Sequence, residues 1–354
     1  IVAGLIIGAI LGLAVPQAAG ISILGNVFVG ALKAVAPLLV FFLVISSLCH
    51  SGKSHGGVIR TVIVLYMFST FLAAIVAVTA SSVFPVTLTL VDAATDMAAP
   101  QGVAEVLRTL LMNVVTNPVQ SLVSANYIGI LVWAVLIGIA LRKASDTTKQ
   151  SLNDISAALS KTVTWIIQCA PFGIMGLVYN TVSVNGLSTF TEYGKLLAVL
   201  LGSMLFIYFV TNPILVFWCI RKNPYPLIFK CLKKSAITAF FTRSSAANIP
   251  INMEACAEMG LDKDTYSVTI PLGATINMDG AAITITVMTL AAAHTLGIAV
   301  DIPSAIILSI LATLSACGAS GVAGGSLLLI PMACSLFGIS NDIAMQIVGI
   351  GFII

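Results

Sequence analysis

The chain has 354 residues, of which 59% are apolar and 8% charged, with a formal net charge of +3 and a mean hydropathy of +1.10. A soluble globular domain would carry about 25% charged residues, so this composition excludes one and indicates a polytopic membrane protein. No basic stripe with interleaved aromatic residues is present, which argues against nucleic acid as a partner. The seven cysteines occur without a CxxC pair, so neither a disulfide framework nor a zinc site is indicated.

About eight apolar runs follow one another along the chain as candidate spanning segments, each of which needs about 20 residues. They lie at 1–15, 22–49, 58–84, 103–141, 152–180, 193–220, 265–298 and 342–354. The fourth run is too long for one span, and Pro118 predicts a kink or two shorter helices there. Because both chain ends lie inside apolar runs, we expect a fragment whose last helix continues past Ile354.

Lys and Arg are concentrated in alternate loops, which predicts the orientation of the chain. The basic residues of these loops are Lys53, Arg60, Arg142, Lys143, Lys149, Lys161, Arg221, Lys222, Lys230, Lys233 and Lys234. They fall into three loops, around residues 53–60, 142–161 and 221–234. By the positive-inside rule these loops are cytoplasmic, and the N-terminus starts inside. We therefore expect a multi-pass membrane protein with a defined orientation.

Two stretches, 227–259 and 303–338, do not have the composition of simple membrane spans. The first carries "TRSSAANIP" and the second "SACGASGVAGGSLLLIP" where the hydrocarbon would be deepest. Each arm of about 15 residues reaches about 22 Å, short of a core of about 30 Å, so re-entrant hairpins fit better than spans. Each hairpin is followed by an apolar helix. Interrupted segments in matching positions are typical of inverted-repeat transporters that bind substrate between them at the midplane.

A single carboxylate, Asp279, lies in the apolar stretch "GATINMDGAAITITVMTLAAA". An ionised Asp at bilayer depth costs roughly 2.5–3.5 kcal/mol, so it is expected to pair or to serve an ion path. A structural salt bridge to Arg243 on the first hairpin is one interpretation. The other is a sodium site, because Asn277 and Asp279 supply hard oxygen ligands and Gly280 permits local unwinding that frees carbonyls. A proton carried by the carboxylate also stays open.

The motifs "TRSSAANIP", "PLGATINMDGAAI" and "CGASGVAGGS" resemble those of the dicarboxylate/amino acid:cation symporter family. Other segments of the sequence, including "GNVFVGALKAVAP", "NYIGILVWA" and "FGISNDIAMQ", are most similar to the bacterial sodium/serine-threonine branch of this family. The resemblance runs along essentially the whole chain. It implies uptake of serine or threonine with Na⁺ as the coupling ion and no cofactor. It also implies a multi-pass protein in the lipid bilayer of the bacterial cytoplasmic (inner) membrane.

The resemblance also implies an elevator-type homotrimer, in which a scaffold holds a mobile transport domain. The scaffold would comprise helices 1 and 2 (1–57) and helices 4 and 5 (103–192). The transport domain would comprise helix 3 (58–102) and residues 193–354. This second part holds helix 6, hairpin 1 (227–259), the NMDG helix (265–298), hairpin 2 (303–338) and the start of the last helix.

Site residues carried over from the family fall into two sodium sites and one substrate site. One sodium would lie among Tyr66, Ser69, Thr70, Asn277 and Asp279, with Gly273 as a further sodium-site residue. A second would be framed by Thr275 and Met278 and by the backbone at Ala316, Cys317 and Ala319. The substrate would lie between Arg243, Ser244 and Ser245 on the first tip and Val322 and Ser326 on the second, beside Met278 and Ala281.

One departure from the family bears on the substrate. Members that carry acidic substrates have Thr directly after NMDG, whereas this chain has Ala281, which removes a hydroxyl that helps to hold a side-chain carboxylate. The departure favours a neutral substrate, with a dicarboxylate or acidic amino acid as the alternative.

Two alternative functions, an intramembrane protease and a passive channel, have less support in the sequence. "GASG" at 318–321 matches an intramembrane serine protease motif with Ser320 as nucleophile, but no His follows His294 to act as base. A passive channel would carry rings of like charges or repeated filter carbonyls, and this chain has two unlike tips and one deep Asp.

Overall fold

The computed structural model describes residues 2–50, 57–90, 112, 115–186, 189–236, 239, 245, 248–317 and 324–354. Within these ranges the regular segments are helices, and no strand is present. A helix satisfies its own N–H and C=O groups, as hydrocarbon requires of a spanning segment. The predicted all-α class is therefore confirmed for the described residues.

The described α-helices are numbered in chain order. The first half contains α1 (Val2–Ala14), α2 (Ser22–His50), α3 (Gly57–Val83), α4 (Pro118–Val123), α5 (Tyr127–Ala140), α6 (Asp146–Gln168) and α7 (Ala170–Asn185). The second half contains α8 (Thr189–Phe206), α9 (Asn212–Ile220), α10 (Tyr225–Cys231), α11 (Ile249–Glu258), α12 (Lys263–Ile276), α13 (Asp279–Thr295), α14 (Ile302–Ala316), α15 (Ile330–Ser335) and α16 (Asn341–Ile353). Two π-helical turns, Ile207–Thr211 and Leu232–Ala236, follow α8 and α10.

Four helical segments among the described residues are long and apolar enough to cross a bilayer. They are Ser22–Ser46, Arg60–Val83, Phe190–Ile220 and Thr265–Thr295. A fifth crossing would combine α6 and α7, which bend by 55° where they meet. Helices α1, α14 and α16 are apolar but shorter. The predicted count of about eight spans is thus matched only in part, by several apolar helices in the expected order.

Two predicted runs are divided into pairs of helices. In the fourth run α4 and α5 are separate, as Pro118 predicts, and the side chains of Asn117 and Asn126 cap their first turns. The fifth run, 152–180, is divided as well, because α6 and α7 meet within it at a bend of 55° that the apolar run alone does not predict. Pro171 in the first turn of α7 lacks an N–H and ends the hydrogen-bonding pattern of α6.

The first predicted hairpin has two short arms that lie side by side. The arm formed by α10 and its π turn presents Lys234, whose Nζ lies 2.6 Å from a carboxylate oxygen of Glu258 on α11. Asn248, just before α11, donates to the carbonyl of Ser235 at 3.3 Å. The ten residues of α11 extend about 15 Å, roughly half of a hydrocarbon core. The arms therefore have the length and pairing of a hairpin.

The second predicted hairpin is built from α14 and α15. Asp301 caps α14 by accepting from the backbone N–H of Ser304 at 3.0 Å. The side chain and N–H of Ser304 stabilise the charged carboxylate, so the pKa of Asp301 lies below its usual range. Ser315 on α14 lies 3.6 Å from the sulfur of Met332 on α15, which joins the two arms.

The two hairpins are followed by the same local plan. Gly260 and Gly338 end the second arms with φ of 71° and 69°, a left-handed conformation that glycine adopts without steric cost. Two residues later Asp262 and Ser340 cap α12 and α16 with their side chains. The order of second arm, glycine turn, cap and helix thus occurs twice among the described residues, and the two re-entrant hairpins stay a prediction.

Helix packing differs between two groups of helices. Helix α13 is buried over most of its length and contacts α3, α8, α14, α15 and α16. Helices α1, α2 and α7 pack through small residues, and Gly176 of α7 meets the backbone of Gly25 on α2. Small residues allow such close backbone approach in membrane helices. The division into scaffold and transport domain stays a prediction, because α16 contacts both groups.

The contact between α2 and α7 predicts an effect on stability. At Gly176 an added Cβ would collide with the backbone at Gly25, whereas at Gly30 it would meet no described atom within 4 Å. Overpacking costs about 1–3 kcal/mol, so Gly176→Ala should lower the thermal unfolding midpoint in detergent. Gly30→Ala, the matched control, should leave the midpoint unchanged or raise it. Equal midpoints for the two variants would contradict this packing.

Candidate functional site

Asp279 lies near the middle of the apolar segment Thr265–Thr295 and accepts two hydrogen bonds from α3. Ser69 Oγ donates to Oδ2 at 2.8 Å, and Thr70 Oγ1 donates to Oδ1 at 3.1 Å. Both hydroxyl residues are buried. The carboxylate is thereby held by neutral groups on a helix more than 200 residues away in sequence.

The ion pairs found among the described residues do not involve Asp279. They join Lys33 to Asp342, and Lys234 to Glu254 and Glu258. Arg243, the partner in the predicted salt bridge, lies outside the described residues. The structural interpretation of Asp279 is thus untested, and its described surroundings consist of hydroxyl and amide groups.

The interruption that places Asp279 lies between α12 and α13. Asn277 (φ −99°, ψ 82°) and Met278 (φ −119°, ψ 53°) leave the helical region. The prediction that Gly280 provides the unwinding is wrong, because Gly280 lies inside the first turn of α13. Asp279 itself begins α13, where the positive end of the helix dipole stabilises a carboxylate.

The Thr70 hydroxyl replaces a backbone partner that the interruption removes. The N–H of Met278 donates to Thr70 Oγ1 at 3.2 Å. The same oxygen lies 3.1 Å from Asp279 Oδ1 and 3.5 Å from Asn277 Oδ1. One side chain of α3 therefore contacts both residues between α12 and α13 and the first residue of α13.

Oxygen acceptors outnumber hydroxyl protons around Asp279. The acceptors are the two oxygens of Asp279, Oδ1 of Asn277 and Oδ1 of Asn212, which lies 3.4 Å from Ser69 Oγ. Ser69 and Thr70 have one hydroxyl proton each and cannot donate to all of these acceptors. A cluster of carboxylate, amide and hydroxyl oxygens suits a small hard cation.

Asn212 is a member of this cluster that the sequence analysis does not identify. It lies in "VTNPIL", inside the sixth apolar run, directly after the π turn Ile207–Thr211. The position of this amide in the middle of an apolar span could have identified it, because burying a polar group at that depth costs free energy and such residues are commonly functional. Nothing in the sequence indicates that it meets Ser69.

Tyr66 and Gly273 contact each other beside the cluster. The Tyr66 hydroxyl donates to the carbonyl of Thr269 at 3.2 Å. A Cβ at Gly273 would lie 2.9 Å from the Tyr66 hydroxyl oxygen, so a larger residue here would require the Tyr66 ring to shift. Both residues belong to the predicted sodium set, and the structure brings them next to Asn277 without a direct hydrogen bond to Asp279.

A cavity of about 350 Å³ connects this cluster to the first hairpin. Its lining includes Tyr66, Gly273 and Asn277 from the predicted sodium set and Ser245 from the predicted substrate set. Asn248 and Asn252 of the hairpin also line it. A space of this size between an oxygen cluster and a polar hairpin tip could hold a small polar solute.

The other predicted substrate residues are placed less completely. Ser326 precedes the short 3-10 helix Leu327–Leu329, Met278 is buried at the interruption, and Ala281 lies in the first turn of α13. Arg243, Ser244 and Val322 lie outside the described residues.

The predicted second sodium set is brought together in part. Cys317, at the end of α14, has its sulfur 3.5 Å from the carbonyl of Ile276 at the end of α12. Ala316 is buried beside it, while Thr275 donates to the carbonyl of Leu272 in its own helix at 2.8 Å. Ala319 lies outside the described residues. The ends of α12 and α14 thus meet, as this set requires.

Fold and site together define a class: an all-helical membrane protein with an interrupted helix, whose carboxylate is surrounded by oxygen ligands suited to a cation. Residues 1–354 match the Sodium:dicarboxylate symporter family. The chain belongs to this family and is a membrane transporter, not an enzyme. It is similar to the serine/threonine transporter SstT of Bifidobacterium adolescentis, with 57% identity over 355 residues that cover 100% of this chain and 83% of that protein.

The central position of Thr70 predicts a loss of ion affinity in Thr70→Val, which keeps the shape of the side chain but removes its hydroxyl. A hydrogen bond to a charged group contributes about 1.5–3 kcal/mol, so the apparent affinity for Na⁺ should fall by about tenfold or more. The measurement is the thermal stabilisation of the full-length protein by NaCl, with choline chloride as the salt control.

Thr79→Val is the matched control for this substitution. Thr79 lies on the same helix, and its exposed hydroxyl bonds the carbonyl of Ile75 at 2.9 Å. Its sodium response should equal that of the unmodified protein. Indistinguishable responses of the two variants would argue against Thr70 as part of a sodium site.

Proposed function

We propose that this protein is a sodium-coupled secondary transporter that takes up small neutral amino acids, serine and threonine, by alternating access. The observation that carries the proposal is the environment of Asp279, where hydroxyl and amide oxygens converge on a carboxylate. Family membership supports sodium as the coupling ion, and the name of the SstT relative supports the substrate.

The proposed ion site comprises Asp279, Asn277, Ser69 and Thr70, with Tyr66 and Gly273 beside it. A second ion would lie where α12 meets α14, near Thr275 and Cys317. The amino acid would occupy the space between the hairpin tips, reached through the cavity that Ser245 and Asn277 line. In this arrangement the ion and the substrate share Asn277 as a common wall.

Ala281 supports a neutral substrate. It stands at the start of α13, two residues after Asp279, and its methyl group offers no hydroxyl to a side-chain carboxylate. An acidic amino acid would then leave one carboxylate without this donor, and an unpaired charge is costly to bury. Uptake of a dicarboxylate is the alternative within the same fold.

The proposal extends to assembly and location. The resemblance to the family is the basis for proposing a homotrimer in the bacterial cytoplasmic membrane. A scaffold around α1, α2 and α7 and a mobile unit around α13 would correspond to the two groups of helices that pack differently. The exposed apolar residues of α1 and of α8 with α9 are suited to lipid or to a second copy of the chain.

The coupling ion predicts how uptake responds to imposed gradients. The full-length protein in proteoliposomes should accumulate labelled serine with an inward sodium gradient and not with a proton gradient alone. Asp279→Asn keeps the shape but removes the charge that attracts the ion, so its sodium dependence should weaken. Uptake that follows the proton gradient would make the carboxylate a proton carrier and would overturn the sodium assignment.

The substrate proposal predicts a change of preference in Ala281→Thr. The new hydroxyl would offer a donor to a side-chain carboxylate, so inhibition of serine uptake by aspartate should strengthen by about tenfold if one such bond to a charged group forms. Competition between labelled serine and unlabelled aspartate measures this. Ala282→Ser, at a fully buried neighbouring position, is the control. Equal aspartate inhibition in all forms would contradict the role of residue 281.

A further inference from the structure

Asn212 contacts the proposed ion site from a third helix. It follows the π turn Ile207–Thr211 and begins α9. Its Oδ1 lies 3.4 Å from Ser69 Oγ, and the same Ser69 oxygen lies 2.8 Å from Asp279 Oδ2. The carboxamide therefore reaches the carboxylate of α13 through the hydroxyl of α3.

The local sequence explains how an amide reaches this position. A π turn inserts one residue into the helix and rotates the chain that follows, and such turns are frequent at functional sites. Pro213 comes directly after Asn212, where its missing N–H requires a break in the regular bonding. The segment packs along α3, which carries Ser69. The distortion thus directs Asn212 towards the cluster instead of towards lipid.

The direction of the Ser69 hydroxyl proton determines whether Asn212 accepts a hydrogen bond. Ser69 has one hydroxyl proton and two acceptors within reach, Asp279 Oδ2 at 2.8 Å and Asn212 Oδ1 at 3.4 Å. Without a cation the proton is directed to the nearer and charged acceptor. When a cation binds to the carboxylate, Ser69 can act as a ligand only with its oxygen facing the ion and its proton facing away. Asn212 Oδ1 is the acceptor available to that proton.

We propose that Asn212 is a positioning residue of the sodium site, which accepts the Ser69 proton when the ion binds and so turns the Ser69 oxygen towards the ion. The proposal rests on the proposed sodium coupling. It assigns Asn212 no direct contact with the substrate. Its effect is expected on the affinity for sodium, through Ser69.

Asn212→Leu tests the proposal, because leucine has a similar size and no acceptor. The half-saturating sodium concentration for serine uptake should rise about tenfold, the size expected for one lost hydrogen bond near a charge. The KM for serine at saturating sodium should stay unchanged. Asn212→Gln, which keeps the carboxamide, should recover part of the sodium affinity. Thr211→Val, in the same π turn, is the matched control and should behave as the unmodified protein.

A double-substitution cycle separates positioning from a structural role. If Asn212 acts through Ser69, then Asn212→Leu should change sodium affinity little in a Ser69→Ala background. Sodium-dependent thermal stabilisation of the purified variants, measured with NaCl against choline chloride, gives the same quantity without transport. Additive losses in the cycle, or an unchanged sodium affinity in Asn212→Leu, would overturn the proposal.

The unmodified protein distinguishes this failure from that of the proposed function. If it takes up serine with sodium while Asn212→Leu has normal sodium affinity, only the role of Asn212 is wrong. If the unmodified protein shows no sodium dependence, the proposed coupling itself is wrong and the role of Asn212 falls with it. Sodium-dependent uptake together with coupled losses in the cycle supports both.

Discussion

A carboxylate in the middle of an apolar segment is the constraint on which the rest of the site depends. Asp279 has no basic partner among the described residues, and the donors that contact it there are neutral. Two adjacent hydroxyls of α3 supply these donors, and the start of α13 adds the favourable end of a helix dipole. Neutral donors stabilise an ionised carboxylate without cancelling its charge, which is the condition for attracting a mobile cation.

The interruption between α12 and α13 follows from the same constraint. A continuous helix would occupy the N–H of Met278 and would not present Asn277 and Asp279 to α3 together. The Thr70 hydroxyl accepts from that N–H and thereby stabilises the interruption from outside. Helix α13, packed on several sides by other helices, holds the second half of the segment in place. The packing of α13 fixes the position of the helix after the interruption, and the Thr70 hydroxyl stabilises the backbone of the interruption itself.

Local patterns predicted much of this architecture, and contacts between distant segments were the part they missed. Apolar runs predicted α2 and α3 almost to the residue, because long spans have a strong composition signal. The bend between α6 and α7 was missed, since Pro171 at the start of a helix is also compatible with a straight continuation. Resemblance to the family supplied Ser69, Thr70 and Asp279 together. Asn212 was missed because no local pattern says which face a π turn will present.

The connection between ion and substrate follows from shared atoms. Thr70 Oγ1 contacts Asp279, Met278 and Asn277, and Asn277 lines the cavity that reaches Ser245. In the proposed site, a cation on Asp279 would draw the lone pairs of Thr70 towards itself and so alter the hydrogen bonds that Thr70 makes to the other two residues. The wall of the cavity would then depend on the ion through one hydroxyl, and by linkage the ion would depend equally on whatever fills the cavity. Such reciprocity is the physical basis on which a sodium gradient can drive the uptake of an amino acid.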